Sequence, residues 1–184
     1  MKIREMTSEE FWPLVKKNEA KVFRTQQFAA YQNMTAHERR DFEDRKKFIK
    51  ERLSLNYVLF DGKKLAGWTA GFQTNPNEFY MMSSAVLPKY RRKGNYTKLL
   101  KTVLDEAKKR GFQLVTSNHL ATNNPVLIAK LKLGFSISGM EVSDQMGVLL
   151  KLTYSFNPLR AEILKYRTGE LHPTARVKKA LKLK

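Results

Sequence analysis

Three cations and a glycine, Arg91, Arg92, Lys93 and Gly94, stand between an apolar run that stops at Pro88 and an amphipathic run that begins near Asn95. The order is strand, basic glycine turn, helix. A helix N-terminus carries unpaired N–H groups and partial positive charge. A glycine there admits a ligand close to the backbone, with no Cβ in between. With three cations beside it, such a turn suits an anion of the phosphate kind. The glycine patterns of the P-loop and of the dinucleotide-binding turn are both absent. A solvated basic turn that merely starts a helix would use the same residues, so both readings stand at this point.

Composition bounds what the turn could serve. The chain has 184 residues, 42% of them hydrophobic, which is enough for one domain with a substantial core. Its net charge of +18 favours a polyanion or an acidic ligand: nucleic acid, an acidic surface or a phosphorylated cofactor. There is no cysteine, which excludes disulfides, thiolate metal sites and a cysteine nucleophile. His37, His119 and His172 are far apart in sequence, so no metal site is expected. The first residues lack an apolar signal core and no apolar run is long enough to span a bilayer, so a cytoplasmic protein is expected.

The elements that must position the turn are legible in outline. Thr7-Ser-Glu-Glu and Thr35-Ala-His-Glu match the capping box. The first predicts a helix to about Phe23, kinked or delayed by Pro13. The second predicts a helix to about Leu53 with Phe42, Ile49 and Leu53 on one face. Strands are expected over 56–60, 64–73 and 78–87, the first two joined by a hairpin at Asp61-Gly62. Leu99, Leu100, Val103, Leu104 and Ala107 fall at helical spacing after the turn, and Gly111 is a stop. Then come a strand over 112–120, a short helix from Pro125 to before Gly134, strands over 135–142 and 148–156, and a helix from Pro158 to about Arg167. Phe11 and Trp12 are expected to pack the first helix, and Phe79, Tyr80, Met81 and Met82 to be core. The basic tail, 171–184, reads as a frayed or loosely docked helix with a narrow stripe of Val177, Ala180 and Leu181. The order predicts one mixed α/β layer domain.

Two blocks carry a resemblance. Val86, Pro88, Arg91 and Gly94 stand at the spacing of the acetyl-CoA motif of the GNAT N-acetyltransferase superfamily, and Asn123 to Gly134-Phe135 is similar to that family's later block. The resemblance covers about 55–156. Tyr96 stands where the family usually has a small residue. The resemblance implies a mostly antiparallel sheet with helices on both faces, spanning 1–170 as a single domain. It implies that Val86, Arg91, Arg92, Lys93, Gly94, Asn95, Tyr96 and Asn123 bind acetyl-CoA. The strand ending at Val86 would splay from its neighbour and pair with the pantetheine arm.

The implied reaction is direct attack of an amine on the thioester. The family's glutamate base would fall at Tyr80. Glu78 lies two residues earlier on the same strand face and could act through a water; His119 is the other candidate base. The tyrosine that many relatives carry four residues before Gly-Phe is replaced by Lys130, for which a solvent-facing side chain is expected. The acceptor is a small molecule or protein bearing an amine. A basic nucleic-acid-binding module, resting on charge alone, and a non-catalytic acyl-CoA-binding domain remain as alternatives. Weak non-specific nucleic-acid binding is expected in any case.

Overall fold

The computed structural model describes residues 1–23, 34–46 and 52–183. Alternation of apolar side chains along its strands sets up two cores, one on each face of a single sheet. Val58 lies between Tyr57 and Leu59 on β2 (Ser54–Asp61), and the three divide between the faces. One face holds Val58 together with Trp68 and Ala70 of β3 (Lys64–Asn75). It is covered by Phe11 and Val15 of α1 (Ser8–Glu19). The other holds Tyr57, Leu59, Phe79, Met81 and Val115, and is covered by Leu99, Leu100 and Val103 of α3 (Asn95–Lys109). β4 runs from Glu78 to Val86 and β5 from Leu114 to Leu120. After β5 come α4 (Asn124–Lys132), β6 (Ser136–Ser143), β7 (Gly147–Ser155), α5 (Pro158–Arg167) and α6 (Ala175–Leu181).

With β1 (Lys2–Glu5) at one edge, the seven strands run in the order β1-β2-β3-β4-β5-β7-β6. Every neighbouring pair is antiparallel except β4 with β5. The expected mixed sheet with helices on both faces is therefore the observed one.

Several expectations need correction. β1 (Lys2–Glu5), at one sheet edge, has no strand-like alternation in sequence; its antiparallel register with β2, Ile3 opposite Leu59, makes it a strand. α1 ends at Glu19 rather than near Phe23, and Pro13 lies inside it without delaying its start, because the Thr7–Glu10 capping box anchors the first turn. α2 (Ala36–Lys46) does start after Thr35, through the bonds between Thr35 and Glu38. Ile49 lies outside the described residues, and Leu53 sits just before β2 against the core. Phe79 and Met81 are core, but Met82 is 46% exposed. The tail forms α6, capped by Thr174, with Val177 buried; Thr174 and Arg176 both contact Glu162 of α5.

Met82 is exposed because it is an inserted residue. Ala70 and Gly71, adjacent on β3, face Ser83 and Met81 on β4, so Met82 bulges out of the ladder. The strands crowd together there: a Cβ on Gly71 would collide with the Tyr80 carbonyl and lie 2.6 Å from the Phe79 ring. Gly71→Ala should destabilise the protein by about 1–3 kcal/mol in urea unfolding, as overpacking does. Gly139→Ala, where the nearest atom is an ordinary 3.7 Å away, should unfold close to wild type.

Candidate functional site

β4 and β5 pair over three rungs only, Glu78 with Leu114, Phe79 with Val115 and Tyr80 with Thr116. Beyond that they part, directly before the Met82 bulge. Each arm is held from outside: β4 stays on β3 down to Val86 opposite Gly67, and β5 stays on β7 down to Leu120 opposite Leu149. The result is a fork whose inner β4 edge, beyond Tyr80, has no partner in β5. Backbone edges left open in this way accept an extended ligand.

The two arms end in the two blocks singled out by sequence. β4 leads through a short 3₁₀ turn, Pro88–Tyr90, to the cations and α3; β5 leads to Asn123 and α4. Openings beyond the carboxyl ends of parallel strands are the usual ligand crevices of α/β sheets. Arg91, Arg92, Lys93 and Gly94 are all exposed at the mouth. The Arg91 Nε–H donates to the Val86 carbonyl at 3.0 Å and staples the turn to the strand end. Among the described residues no carboxylate pairs with Arg92 or Lys93. Gly94 takes φ +73°, caps α3 without a side-chain hydrogen bond, and would have open space around a Cβ. First-turn N–H groups and unpaired cations thus meet at an open surface, an arrangement that fits a pyrophosphate. Asn123, half-buried at the other arm, makes no side-chain bond to its own helix.

Two of the expected contacts are turned inward. The Asn95 side chain is buried and donates to the Tyr90 carbonyl at 2.8 Å, closing the turn. The Tyr96 hydroxyl is buried without a partner and burial pushes its pKa up. The Asn95 side chain thus serves the turn, whereas the Tyr96 hydroxyl has no partner within the protein.

The two candidate bases are not brought together. Phe79 and Val115 point into the α3 face, so Glu78 and Thr116 lie on the opposite one. The Thr116 hydroxyl donates to the Glu78 carboxylate at 2.6 Å, with Asn75 at 3.3 Å and Lys151 at 3.8 Å. His119 instead shares the α3 face with Ser117, whose Oγ lies 3.0 Å from its Nε2. Burial first, and the nearby Lys130 charge second, depress the His119 pKa to about 3. An imidazole so reluctant to bind a proton is a poor base, which argues against that expectation.

The expectation for Lys130 fails outright. It is wholly buried, and its Nζ donates to Ser117 Oγ at 2.6 Å. Sequence reasoning missed this because lysine is the residue least expected inside. The available signal was its position three residues after Leu127, the other buried side chain of α4.

The model of the acetyltransferase (GNAT) family matches residues 20–135. The chain belongs to the GNAT family. A comparison with curated proteins returned no match. Solved GNAT structures share the fold. The ribosomal-protein-S18-alanine N-acetyltransferase from Escherichia coli is 19% identical, covering 85% of this chain and 94% of that one at a TM-score of 0.61. An N-acetyltransferase from Staphylococcus aureus Mu50 is also 19% identical, with 85% and 98% covered at 0.60. A GNAT acetyltransferase from Elizabethkingia anophelis, solved with acetyl-CoA bound, is 13% identical, with 84% and 97% covered at 0.58. Membership makes acetyl transfer the general activity of this GNAT protein. Among the described residues, no helix is long and apolar enough to cross a membrane.

The buried imidazole has a consequence for stability. Folded His119 titrates near 3 and a free histidine near 6.5. Between those values the unfolded chain takes up a proton that the folded chain refuses, so the native state loses stability as pH falls from about 6.5 towards 3. At about pH 4.5 the loss is on the order of 2–3 kcal/mol. Urea unfolding at neutral and acid pH should show that a His119→Asn variant loses this much less than wild type.

Proposed function

We propose that this GNAT protein transfers an acetyl group from acetyl-CoA to an amine by direct attack. The observation that carries the reading is the alignment of the β4–β5 fork with the basic, uncapped α3 N-terminus at its mouth. The open β4 edge beyond Tyr80 would hold an amide-containing arm by backbone hydrogen bonds. Arg91, Arg92, Lys93 and the first-turn N–H groups would hold a pyrophosphate, and Asn123 would steady the arm from the β5 side. Acetyl-CoA as acyl donor is supported by family membership and by the relative solved with it bound. An amine acceptor is supported by the name of the E. coli relative, which specifies an alanine of a ribosomal protein.

A bound thioester supplies an activated acetyl carbon; the protein's work is alignment and proton handling. The acceptor nitrogen forms a bond to that carbon, the carbon–sulfur bond breaks, and the nitrogen gives up a proton. Glu78 is a carboxylate on the face opposite the α3 core, and we assign it the uptake of that proton through water. Thr116, Asn75 and Lys151 orient its carboxylate. The nucleic-acid reading rested on the net charge, and the fold adds nothing to it.

Titration calorimetry with acetyl-CoA, followed by thiol release over a panel of amines, tests the reading. Binding without release with any amine would leave an acyl-CoA-binding domain. Gly94→Glu should weaken acetyl-CoA at least about tenfold, because a carboxylate would enter the pyrophosphate site; the positive φ adds a stability cost of about 1 kcal/mol. Circular dichroism checks that the variant is folded, and unchanged affinity in a folded Gly94→Glu protein would remove the cofactor site. Glu78→Gln should lower turnover about a hundredfold at neutral pH and less at high pH, where more amine is already neutral.

A further inference from the structure

The two edges of the sheet are built differently. β1 is four residues long and carries Lys2 and Arg4; a short strand with cations on it discourages another strand from adding to it. β6, at the other edge, is eight residues long and holds no lysine, arginine or proline. It pairs with β7 on one side only, and every residue from 137 to 142 is exposed. Its one irregularity, the extra residue Ser138, falls near its start and leaves 139–143 in unbroken register with β7. An unguarded edge of that length is a template for a further strand.

The side chains on this edge agree with that reading. Ile137, Met140 and Val142 stand opposite Leu152, Leu150 and Val148 of β7. Leu152 is in the core under α3 and Leu150 packs against it, so the whole set points to that face. Towards the hairpin tip the core no longer covers it: Met140 is 71% exposed and Val142 is 76% exposed. α4, which enters the same core through Leu127, leaves Ile128 and Leu131 outside. Of the ten large apolar side chains exposed among the described residues, six lie on α4 and the β6–β7 hairpin. Single exposed apolar residues are ordinary, but a cluster of them marks a contact surface.

Charge selects the occupant. The chain carries 35 lysines and arginines, and none falls between Lys132 and Lys151, where Glu141 and Asp144 are the only charges. A polyanion finds nothing to hold there. The Glu141 carboxylate leans inward and accepts from the Asn118 amide of β5 at 3.1 Å, so the strand offers no outward carboxylate to a basic segment. Two copies of a +18 molecule repel each other on most approaches, and least where both lack cations. The edge also suits itself. A two-fold axis through Met140 sets Met140 against its counterpart and Glu141 against Gly139 of the second copy. Like charges then do not meet directly, and the apolar side chains keep to one face.

We propose that this chain forms a two-fold dimer in which the β6 edges of two copies pair antiparallel about Met140 and continue the sheet from one copy into the other. The apolar surface of β6, β7 and α4 then lies along the seam. The inference is independent of the acyl-transfer reading. Pairing also backs the β5 arm of the fork, which has two strands behind it where the β4 arm has three.

Sedimentation equilibrium on the full chain reads the mass. Wild type should sediment at twice the 21.4 kDa of one chain. The association should hold or tighten from low salt to about 0.5 M, since screening weakens the mutual repulsion of the two copies. Val142→Lys puts a cation at the seam and should weaken the dimer at least about thirtyfold. Val142 is exposed in the single chain, so circular dichroism should show an intact fold for the variant. The chain has no cysteine, so Met140→Cys gives one thiol per copy. Residues directly opposite across an antiparallel seam have Cα atoms about 4.5–5.5 Å apart, within reach of a disulfide. Mild oxidation should therefore link Met140→Cys into a covalent dimer and leave Lys2→Cys, at the other edge, unlinked. A wild type that stays monomeric at about 100 µM leaves the edge to a strand of another protein and overturns the inference. A dimer that salt dissociates, that survives Val142→Lys, or that Met140→Cys fails to link overturns it as well.

Discussion

β5 cannot follow β4 past Tyr80, and the rest of the molecule is arranged around that failure to pair. Each strand is committed on its outer side, β4 to β3 and β5 to β7, along nearly its whole length. The extra residue at Met82 re-aims β4 just where the shared rungs stop. A sheet normally satisfies every interior backbone group. Here two inner edges are left over, on β4 beyond Tyr80 and on β5 beyond Thr116, and the outer strands prevent them from closing. Gly71 is part of the same device, because the bulge needs β3 to approach the Tyr80 carbonyl more closely than any side chain permits.

The fork has positive charge at both ends, but of two physical kinds. At the mouth, Arg91, Arg92 and Lys93 are exposed and solvated, so each interaction is individually weak and screened by salt. Several such cations with a helix N-terminus hold a diffuse anion without demanding one geometry. At the apex there is one amine, buried, with a single strong hydrogen bond to Ser117. Its field is barely screened, and its proton affinity is set by the lack of water rather than by a counter-ion. The first arrangement suits retention of an anion; the second binds one amine to one hydroxyl.

Alternation along β4 and β5 separates the titratable groups by face. Glu78, with Thr116 behind it, lies on one side of the sheet, and Lys130, Ser117 and His119 lie on the other. A carboxylate and an ammonium would neutralise each other if they touched. The sheet between them keeps the carboxylate and the ammonium from forming an ion pair.

Helix caps, hairpin turn and basic glycine turn are local chemistry, and residue types in a short window determine them. Thr7 and Thr35 start their helices, Asn157 and Pro158 start α5, and Gly94 opens α3 as their sequence context requires. The anion-binding character of 91–94 is legible for the same reason. What depends on partners distant in sequence is not legible. Lys2–Glu5 becomes a strand only against β2, and Met82 leaves the core only because β3 and β4 differ by one residue in register. The bond of the Asn95 amide to the Tyr90 carbonyl and the burial of the Tyr96 hydroxyl follow only from the fold. Lys130 is the extreme case. In its window only the spacing from Leu127 sets it apart from a solvated lysine, and it is the meeting of α4, Met81, Ser117 and Phe135 that removes its water. Proton affinity follows solvation, and solvation is a property of the assembled structure rather than of the residue.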